Sequence, residues 1–158
     1  MSAPLRQPQR IARFAGFTII ELMLTLLLLG VLVMVAMPFY NSYQLRVKNA
    51  QAVHDISAMS LAIQSYWNDN RTLPDSLADV QLSGKLDPWG TPYTYYNVQA
   101  NGRGQARKDH ALNPINTDFD LYSNGPDRAS HSQITQSASL DDLIRASNGD
   151  FVGIAADF

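Results

Sequence analysis

The sequence predicts an α+β protein in which a long N-terminal helix packs against a small antiparallel β-sheet. Three observations support this fold class. Residues 22–40 carry no charged side chain, apolar residues then recur at helical spacing, and the remainder contains short strand-like segments separated by turns. The first half of the helix is therefore predicted to cross a membrane, and the second half to pack on the sheet.

The apolar run is long enough to span a bilayer, whose hydrocarbon core needs about 20 residues of helix. Three arginines precede it, at positions 6, 10 and 13, whereas only Arg46 and Lys48 follow closely. Because cytoplasmic flanks carry the excess of basic residues, this asymmetry predicts a cytoplasmic N-terminus and an exported C-terminal part.

Two simpler interpretations of the apolar run remain open. One is a secretory signal peptide removed by ordinary signal peptidase, but its best cleavage position, Ala36, has the bulky Met34 at the other critical site. The other is a generic single-pass anchor, which explains the hydrophobicity but not the residues at its start.

Glu21 is the only glutamate of the chain and lies within this apolar segment. A charged side chain in a membrane helix costs several kcal/mol, so such a carboxylate indicates a function. The run Gly16-Phe17-Thr18-Ile19-Ile20-Glu21-Leu22 after a basic leader resembles the processing site of type IV pilins and type II secretion pseudopilins. The resemblance implies that prepilin peptidase cuts between Gly16 and Phe17 and that Phe17 is then N-methylated. Ala15 departs from the Lys or Arg often found before the glycine.

Cleavage would give Phe17 an ammonium group, with an ordinary pKa near 8. Phe17 and Glu21 are four residues apart and share one helix face. The carboxylate can therefore pair with its own terminal amine or with that of a neighbouring subunit. The resemblance implies that the intersubunit pairing sets the register of filament assembly.

The helix is predicted to continue from Phe17 to about Trp67. Its second half carries an apolar stripe at spacings of three and four: Val53, Ile56, Ser60, Ile63 and Trp67. Asn68-Asp69-Asn70 and Pro74 predict its end. Gly30 and Pro38 weaken the first half, and the resemblance implies partial unwinding between them in filaments, which makes both candidate assembly residues.

The remainder is predicted to contain one short helix within residues 73–80 and strands over 93–98, 118–123 and 151–155. Asn101-Gly102 predicts a turn. Asp87-Pro88-Trp89-Gly90-Thr91-Pro92-Tyr93, followed by residues 118–127 (DFDLYSNGPD), is similar to the major pseudopilin of type II secretion systems.

In that family the last loop binds calcium through backbone carbonyls and aspartates, ligands that suit this ion. The resemblance implies that Asn124 supplies a carbonyl ligand and Asp127 a carboxylate, with Asp142 matching a second acid loosely. The alternative is that Asp127 caps a turn and that Asp141 caps a short helix ending at Arg145. Residues 128–140 are longer than the family's loop and contain neither glycine nor acid.

Other sequence features argue against several functions. The chain has no cysteine, which excludes disulfides and thiol catalysis, and a net charge of −2, which does not favour nucleic-acid binding. Arg103, Arg107 and Lys108 are interpreted as part of a solvated loop. Asp118 and Asp120 could imitate paired catalytic acids but are interpreted as the exposed face of a strand.

The sequence and the resemblance together predict a structural subunit and no enzyme. Its expected parts are the leader peptide (1–16), the transmembrane half of the helix (17–40), its periplasmic half (41–68) and a globular periplasmic domain (69–158). The chain is expected to lie first in the bacterial inner membrane, in contact with its lipid. It is then expected to polymerise with itself into a periplasmic pseudopilus. Minor pseudopilins, the assembly platform and prepilin peptidase are the expected partners. The alternatives are a type IV (minor) pilin of a surface pilus and a membrane-anchored periplasmic binding module.

Overall fold

The computed structural model describes residues 16–158, so the predicted leader lies outside the described residues except for Gly16. The chain divides into two units, one ending at Asn41 and the other comprising Ser42–Phe158. The first described unit is helical from Ile19 onward, and the second contains the rest of that helix and the whole β-sheet.

The long helix, α1, covers Ile19–Asn70, which confirms the predicted element. It continues through Gly30 and Pro38. Its C-terminal end follows from a backbone change at Arg71, which adopts a positive φ of 61° while its N–H still donates to the Trp67 carbonyl. The helix therefore ends about one turn beyond the predicted position.

Four antiparallel strands form a single sheet in chain order. They are β1 (Thr94–Asn97), β2 (Phe119–Ser123), β3 (Leu143–Ala146) and β4 (Phe151–Ile154). A one-turn helix, α2 (Val98–Asn101), follows β1 and ends at Gly102, whose φ of 76° terminates it. The predicted strands near residues 94, 119 and 151 and the turn near Gly102 are confirmed.

The main hydrophobic core lies between the second half of α1 and one face of the sheet. The helix contributes buried side chains one turn apart, namely Ala52, Ile56, Met59 and Ile63. Tyr93 and three strand residues face them: Phe119, Leu121 and Leu143. Burial of such side chains stabilises the fold by about 1.5–3 kcal/mol each.

A second, smaller cluster lies on the other face of the sheet. Ile144 follows Leu143 in β3, and successive strand side chains point to opposite faces. Ile144 accordingly packs with Ile115 and Ile134 from the connecting segments and with Ala155, which follows β4. The long connections before β2 and β3 thus cover the face that α1 does not.

Two predicted elements are wrong. Residues 73–80 form turns instead of a short helix, and Asp79 Oδ2 accepts a hydrogen bond from the Ser76 N–H at 2.9 Å. The short helix considered from Asp141 to Arg145 is replaced by β3, which pairs with both β2 and β4. Pairing with two neighbouring strands satisfies the backbone hydrogen-bonding groups of β3 on both of its edges.

The predictions that Asp120 and Arg107 are exposed to solvent are also wrong. Their exposed fractions are 1% and 2%, respectively. The Arg107 backbone N–H donates to Asp120 Oδ2 at 2.7 Å, and the Asn116 side-chain amide donates to the other oxygen at 2.9 Å. These hydrogen bonds supply the partners that a buried carboxylate requires.

Candidate assembly helix and C-terminal loop

The start of α1 positions Glu21 in the first helical turn. Thr18 precedes the helix, and its Oγ1 accepts a hydrogen bond from the Glu21 backbone N–H at 3.2 Å. Thr18 therefore acts as the N-cap, with Glu21 three residues later in the arrangement typical of a capping box. A carboxylate at this end also interacts favourably with the positive end of the helix dipole.

The apolar half of α1 presents its side chains to its surroundings. All residues from Gly16 to Tyr43 are exposed, including many leucines, valines and methionines. Within the described residues, α1 is long and apolar enough to cross a membrane. Apolar surface of this extent marks a membrane or protein contact.

Gly30 and Pro38 lie within this exposed half. A Cβ added at Gly30 would contact nothing within 4 Å, so the residue is not required for close packing in the described chain. The helix is regular at both positions, and their predicted role in unwinding during assembly stays a prediction about the filament.

The turn after residue 86 is fastened to the end of β2. Asp87 Oδ1 accepts hydrogen bonds from the backbone N–H groups of Trp89 (3.0 Å) and Thr91 (2.8 Å). Its Oδ2 accepts from the Ser123 hydroxyl at 2.6 Å, and Ser123 Oγ in turn accepts from the Gly125 N–H at 3.1 Å. The two motifs singled out in the sequence therefore form one hydrogen-bonded structure.

The following loop packs tightly on the backbone of Asp141. Gly125 has a φ of 66°, and a Cβ at this position would lie 2.4 Å from the Asp141 carbonyl oxygen. Asp127 Oδ1 accepts from the Ala129 N–H at 2.8 Å, and the Asp127 N–H lies 3.3 Å from Asp141 Oδ2. Asp127 thus has the geometry of a turn residue.

Asp142 is excluded from solvent and paired with Arg107. Arg107 Nη2 donates to Asp142 Oδ2 at 2.6 Å, and the Ser130 hydroxyl donates to the same oxygen at 2.7 Å. The exposed fractions of the two charged side chains are 3% for Arg107 and 0% for Asp142. Burial raises the pKa of Asp142 above its usual range, although the Ser130 hydrogen bond and the Arg107 charge act in the opposite direction.

The calcium site predicted at Asn124, Asp127 and Asp142 would combine one carbonyl with two carboxylates. Within residues 16–158, no three acidic or histidine side chains are grouped so that they could hold a metal. Asp127 is engaged in its turn, and the Asp142 carboxylate is already neutralised by a guanidinium. Asn124 Oδ1 and Asp142 Oδ1 are both buried and have no hydrogen-bond partner. The calcium site stays a prediction.

A second buried arginine fastens β3 to the start of β2. Arg145 Nη1 and Nη2 contact the two oxygens of Asp118 at 2.9 and 2.6 Å, a bidentate pair. Nη1 also donates to the Phe119 carbonyl at 3.0 Å, and the guanidinium lies 3.9 Å from the centre of the Phe119 ring. Asp118 is therefore a structural partner of Arg145.

The sequence pointed to neither Arg107 nor Arg145 as a key residue. Each pairs with an aspartate far away in the chain, 35 residues for Arg107–Asp142 and 27 for Arg145–Asp118. The only local signal was an arginine between apolar residues in Leu143-Ile144-Arg145-Ala146.

Comparisons with known proteins identify relatives over most of the chain. The chain is 28% identical over 134 residues to the type II secretion system core protein G of Pseudomonas aeruginosa, covering 72% of this chain and 84% of that protein. It is 27% identical over 133 residues to the protein of the same name from Escherichia coli K12, covering 71% and 81%. The type IV major pilin of Myxococcus xanthus is 28% identical over 102 residues, covering 62% of this chain and 45% of that protein.

No family model matches the chain, and no solved structure matches it. The structure itself has an α+β, pilin-like arrangement, a long apolar helix whose second half packs on an antiparallel sheet. By these similarities the chain resembles proteins of the type IV pilin-like superfamily, with type II secretion core proteins among its relatives.

Proposed function

We propose that the chain is a structural subunit that is processed by prepilin peptidase and polymerises into a periplasmic pseudopilus for type II protein secretion. The observation that carries this proposal is the exposed apolar helix that begins with Thr18 and Glu21. A bilayer can cover this surface before assembly, and the helices of neighbouring subunits can cover it afterwards.

Glu21 gives the proposed assembly its specificity. In a helix packed among apolar neighbours, a carboxylate is stable only when it is paired. The amine that cleavage creates on Phe17 of an adjacent subunit would supply that partner. Only subunits at one axial offset could then satisfy their carboxylates, so the pair would select a single register.

The unit formed by residues 42–158 supports a structural role because three of its aspartates are used internally. Asp118, Asp120 and Asp142 are each held by residues of the same fold. Similarity to core protein G in two bacteria favours the secretion system.

A subunit of a surface pilus is the second candidate, favoured by the similarity to a type IV major pilin. Both candidates use the same helix and the same processing step. They differ in whether the filament stays in the periplasm or reaches the cell surface. They also differ in whether loss of the filament stops protein secretion or removes surface pili.

The proposal is tested in the bacterium that encodes the chain. N-terminal mass analysis of the membrane-extracted protein is expected to find a chain that begins at N-methylated Phe17, and Gly16→Val is expected to abolish processing. An intact N-terminus, or one created near Ala36, would contradict the proposal. Deletion of the gene is expected to leave secreted proteins in the periplasm, whereas loss of surface pili with normal secretion would establish the second candidate.

A further inference from the structure

The segment 128–140, between β2 and β3, has no disulfide to fasten it, because the chain contains no cysteine. We propose that the Arg107 guanidinium is the cation that fastens this segment, in the place where the family resemblance implies calcium, and that the fold of this loop is independent of calcium. This inference does not depend on polymerisation or on the secretion role.

Arg107 contacts the loop at two residues as well as at Asp142. Its Nη1 donates to the His131 carbonyl at 2.9 Å and also contacts the Ser130 hydroxyl. Ser130 in turn donates to Asp142 Oδ2 at 2.7 Å. One guanidinium thus joins the loop to Asp142, the residue that precedes β3. A metal ion would join them in a similar way, by binding oxygen atoms of the loop and of Asp142.

The position of Arg107 is itself fixed by the sheet. Its backbone N–H donates to Asp120 Oδ2 in β2, and its carbonyl accepts from the Ile115 N–H at 3.0 Å. The guanidinium lies 4.3 Å from the centre of the Tyr122 ring, which adds a cation–π contact. A charged group held at both ends of its side chain needs little reorganisation to remain in place.

The backbone next to Arg107 is also hydrogen-bonded to the loop. Lys108, directly after Arg107, donates its N–H to the Ser132 carbonyl at 2.8 Å and accepts from the Ile134 N–H at 2.9 Å. His131 and Ser139 are connected within the loop, since the His131 N–H donates to Ser139 Oγ at 2.8 Å. The loop is therefore hydrogen-bonded within itself and to residues 107 and 108.

Arg107 and a calcium ion would compete for the same carboxylate, that of Asp142. Calcium binds carboxylate oxygens at about 2.3–2.6 Å, and Asp142 Oδ2 is already 2.6 Å from a guanidinium nitrogen. Two cations on one buried carboxylate would repel each other strongly, because little solvent is present to screen them. The other oxygen, Asp142 Oδ1, is buried without a hydrogen-bond partner, but Arg107 already balances the charge of this carboxylate, so a calcium ion there would add two positive charges without a further anion from Asp142.

The test uses the full chain in detergent micelles. Its thermal midpoint is expected to be the same in excess calcium chloride and in EGTA, monitored by tryptophan fluorescence. The fold of the loop is followed separately by the rate of tryptic cleavage after Arg128, an exposed residue in the loop. That rate is expected to be equally slow in both solutions.

Arg107→Met removes the cation but keeps an apolar stem of similar length. It leaves Asp142 buried without its charge partner, so cleavage after Arg128 is expected to accelerate at least about tenfold. The double variant Arg107→Met with Asp142→Leu removes both charges and is expected to recover much of the protection. Arg103→Met, at an exposed arginine in the connection between α2 and β2 that also contains Arg107, is the matched control and is expected to leave the rate unchanged.

A midpoint of the unmodified chain that rises by several degrees in calcium and falls again in EGTA would overturn the inference. So would an Arg107→Met chain whose loop resists trypsin as well as the Arg103→Met control. The calcium comparison needs no substitution, so it decides the question even if Arg107→Met fails to fold.

Discussion

The side chains of Asp87 and Ser123 join two segments that lie 36 residues apart, with the Ser123 hydroxyl 2.6 Å from Asp87 Oδ2. Both residues are buried, with exposed fractions of 5% and 0%. The other Asp87 oxygen accepts from the N–H groups of Trp89 and Thr91. One carboxylate therefore shapes a turn and attaches it to the last residue of β2.

Asp87→Ala is expected to reduce the free energy of unfolding by about 3 kcal/mol, because it leaves the buried Ser123 hydroxyl and two partly buried backbone N–H groups without their acceptor. Ser123→Ala removes one of these hydrogen bonds and is expected to cost about 1 kcal/mol. Denaturant unfolding of both single variants and the double variant measures these values. If the two single effects are additive in the double variant, the hydrogen bond is energetically unimportant.

Gly125→Ala is expected to lower the free energy of unfolding more than Gly84→Ala, a substitution at an exposed glycine. Its φ of 66° costs an alanine about 1–2 kcal/mol, and the new Cβ would overlap the Asp141 carbonyl at 2.4 Å. Gly84→Ala is the matched control, since Gly84 has a φ of 71° but nothing within 4 Å of an added Cβ. Equal losses of unfolding free energy in the two variants would show that the loop moves freely away from Asp141.

The elements that could be predicted from the sequence are those with a local signal. The period of α1, the aromatic run of β1 and the alternation of β2 each depend on neighbouring residues. The third strand has no such signal, because Leu143–Ala146 lies between two strands and all four of its residues are buried. A strand covered on both faces shows no alternation of polar and apolar side chains.

The start of α1 has a local sequence signal, whereas the ion pair of the C-terminal loop has none. Thr18 and Glu21 act within one helical turn, so their spacing is visible in the sequence. The partner of Asp142 is Arg107, which the sequence places in a region rich in basic and polar residues. Only the fold reveals that this arginine is buried. For the same reason, the resemblance suggested a metal ligand where the structure has an ion pair.

Glu21→Val is expected to block assembly without disturbing insertion or processing. The substitution keeps the backbone N–H that Thr18 caps, so the helix start is preserved. It removes only the carboxylate that would pair with a neighbouring Phe17 amine. The fraction of subunits in sheared or cross-linked filaments measures the effect. Thr18→Val is the control, because it removes the cap, worth about 1 kcal/mol, but keeps the carboxylate and is expected to assemble.

Tyr93 connects the main core to α1 through a polar contact. Its hydroxyl donates to Asp55 Oδ2 at 3.1 Å, while Lys85 Nζ lies 2.8 Å from the other Asp55 oxygen. Burial, and then the negative charge of Asp55, raise the pKa of Tyr93 well above the ordinary value of about 10. Burial, followed by the charge of Asp118, raises the pKa of Tyr95 in the same direction.

Stability is therefore expected to decrease as the pH rises above about 10. In the unfolded chain both phenols ionise near that pH, whereas in the folded chain they stay protonated, so alkali favours the unfolded state. The contribution is fully present below the unfolded pKa and is lost as the pH approaches the folded one. Denaturant unfolding between pH 8 and 12 measures the slope, and absorbance at 295 nm follows tyrosine ionisation.

Tyr93→Phe separates the two roles of the hydroxyl. At pH 7 it is expected to cost about 1 kcal/mol, because Asp55 loses a hydrogen bond. Above pH 10 its unfolding free energy is expected to fall less steeply than that of the unmodified chain, because one of the two late-ionising groups is gone. Asp55→Asn keeps the phenol but removes the charge beside it. The slope of its unfolding free energy against pH is therefore expected to lie between those of the unmodified chain and Tyr93→Phe. An unchanged slope in Tyr93→Phe would mean that Tyr93 ionises in the folded protein as readily as in the unfolded one.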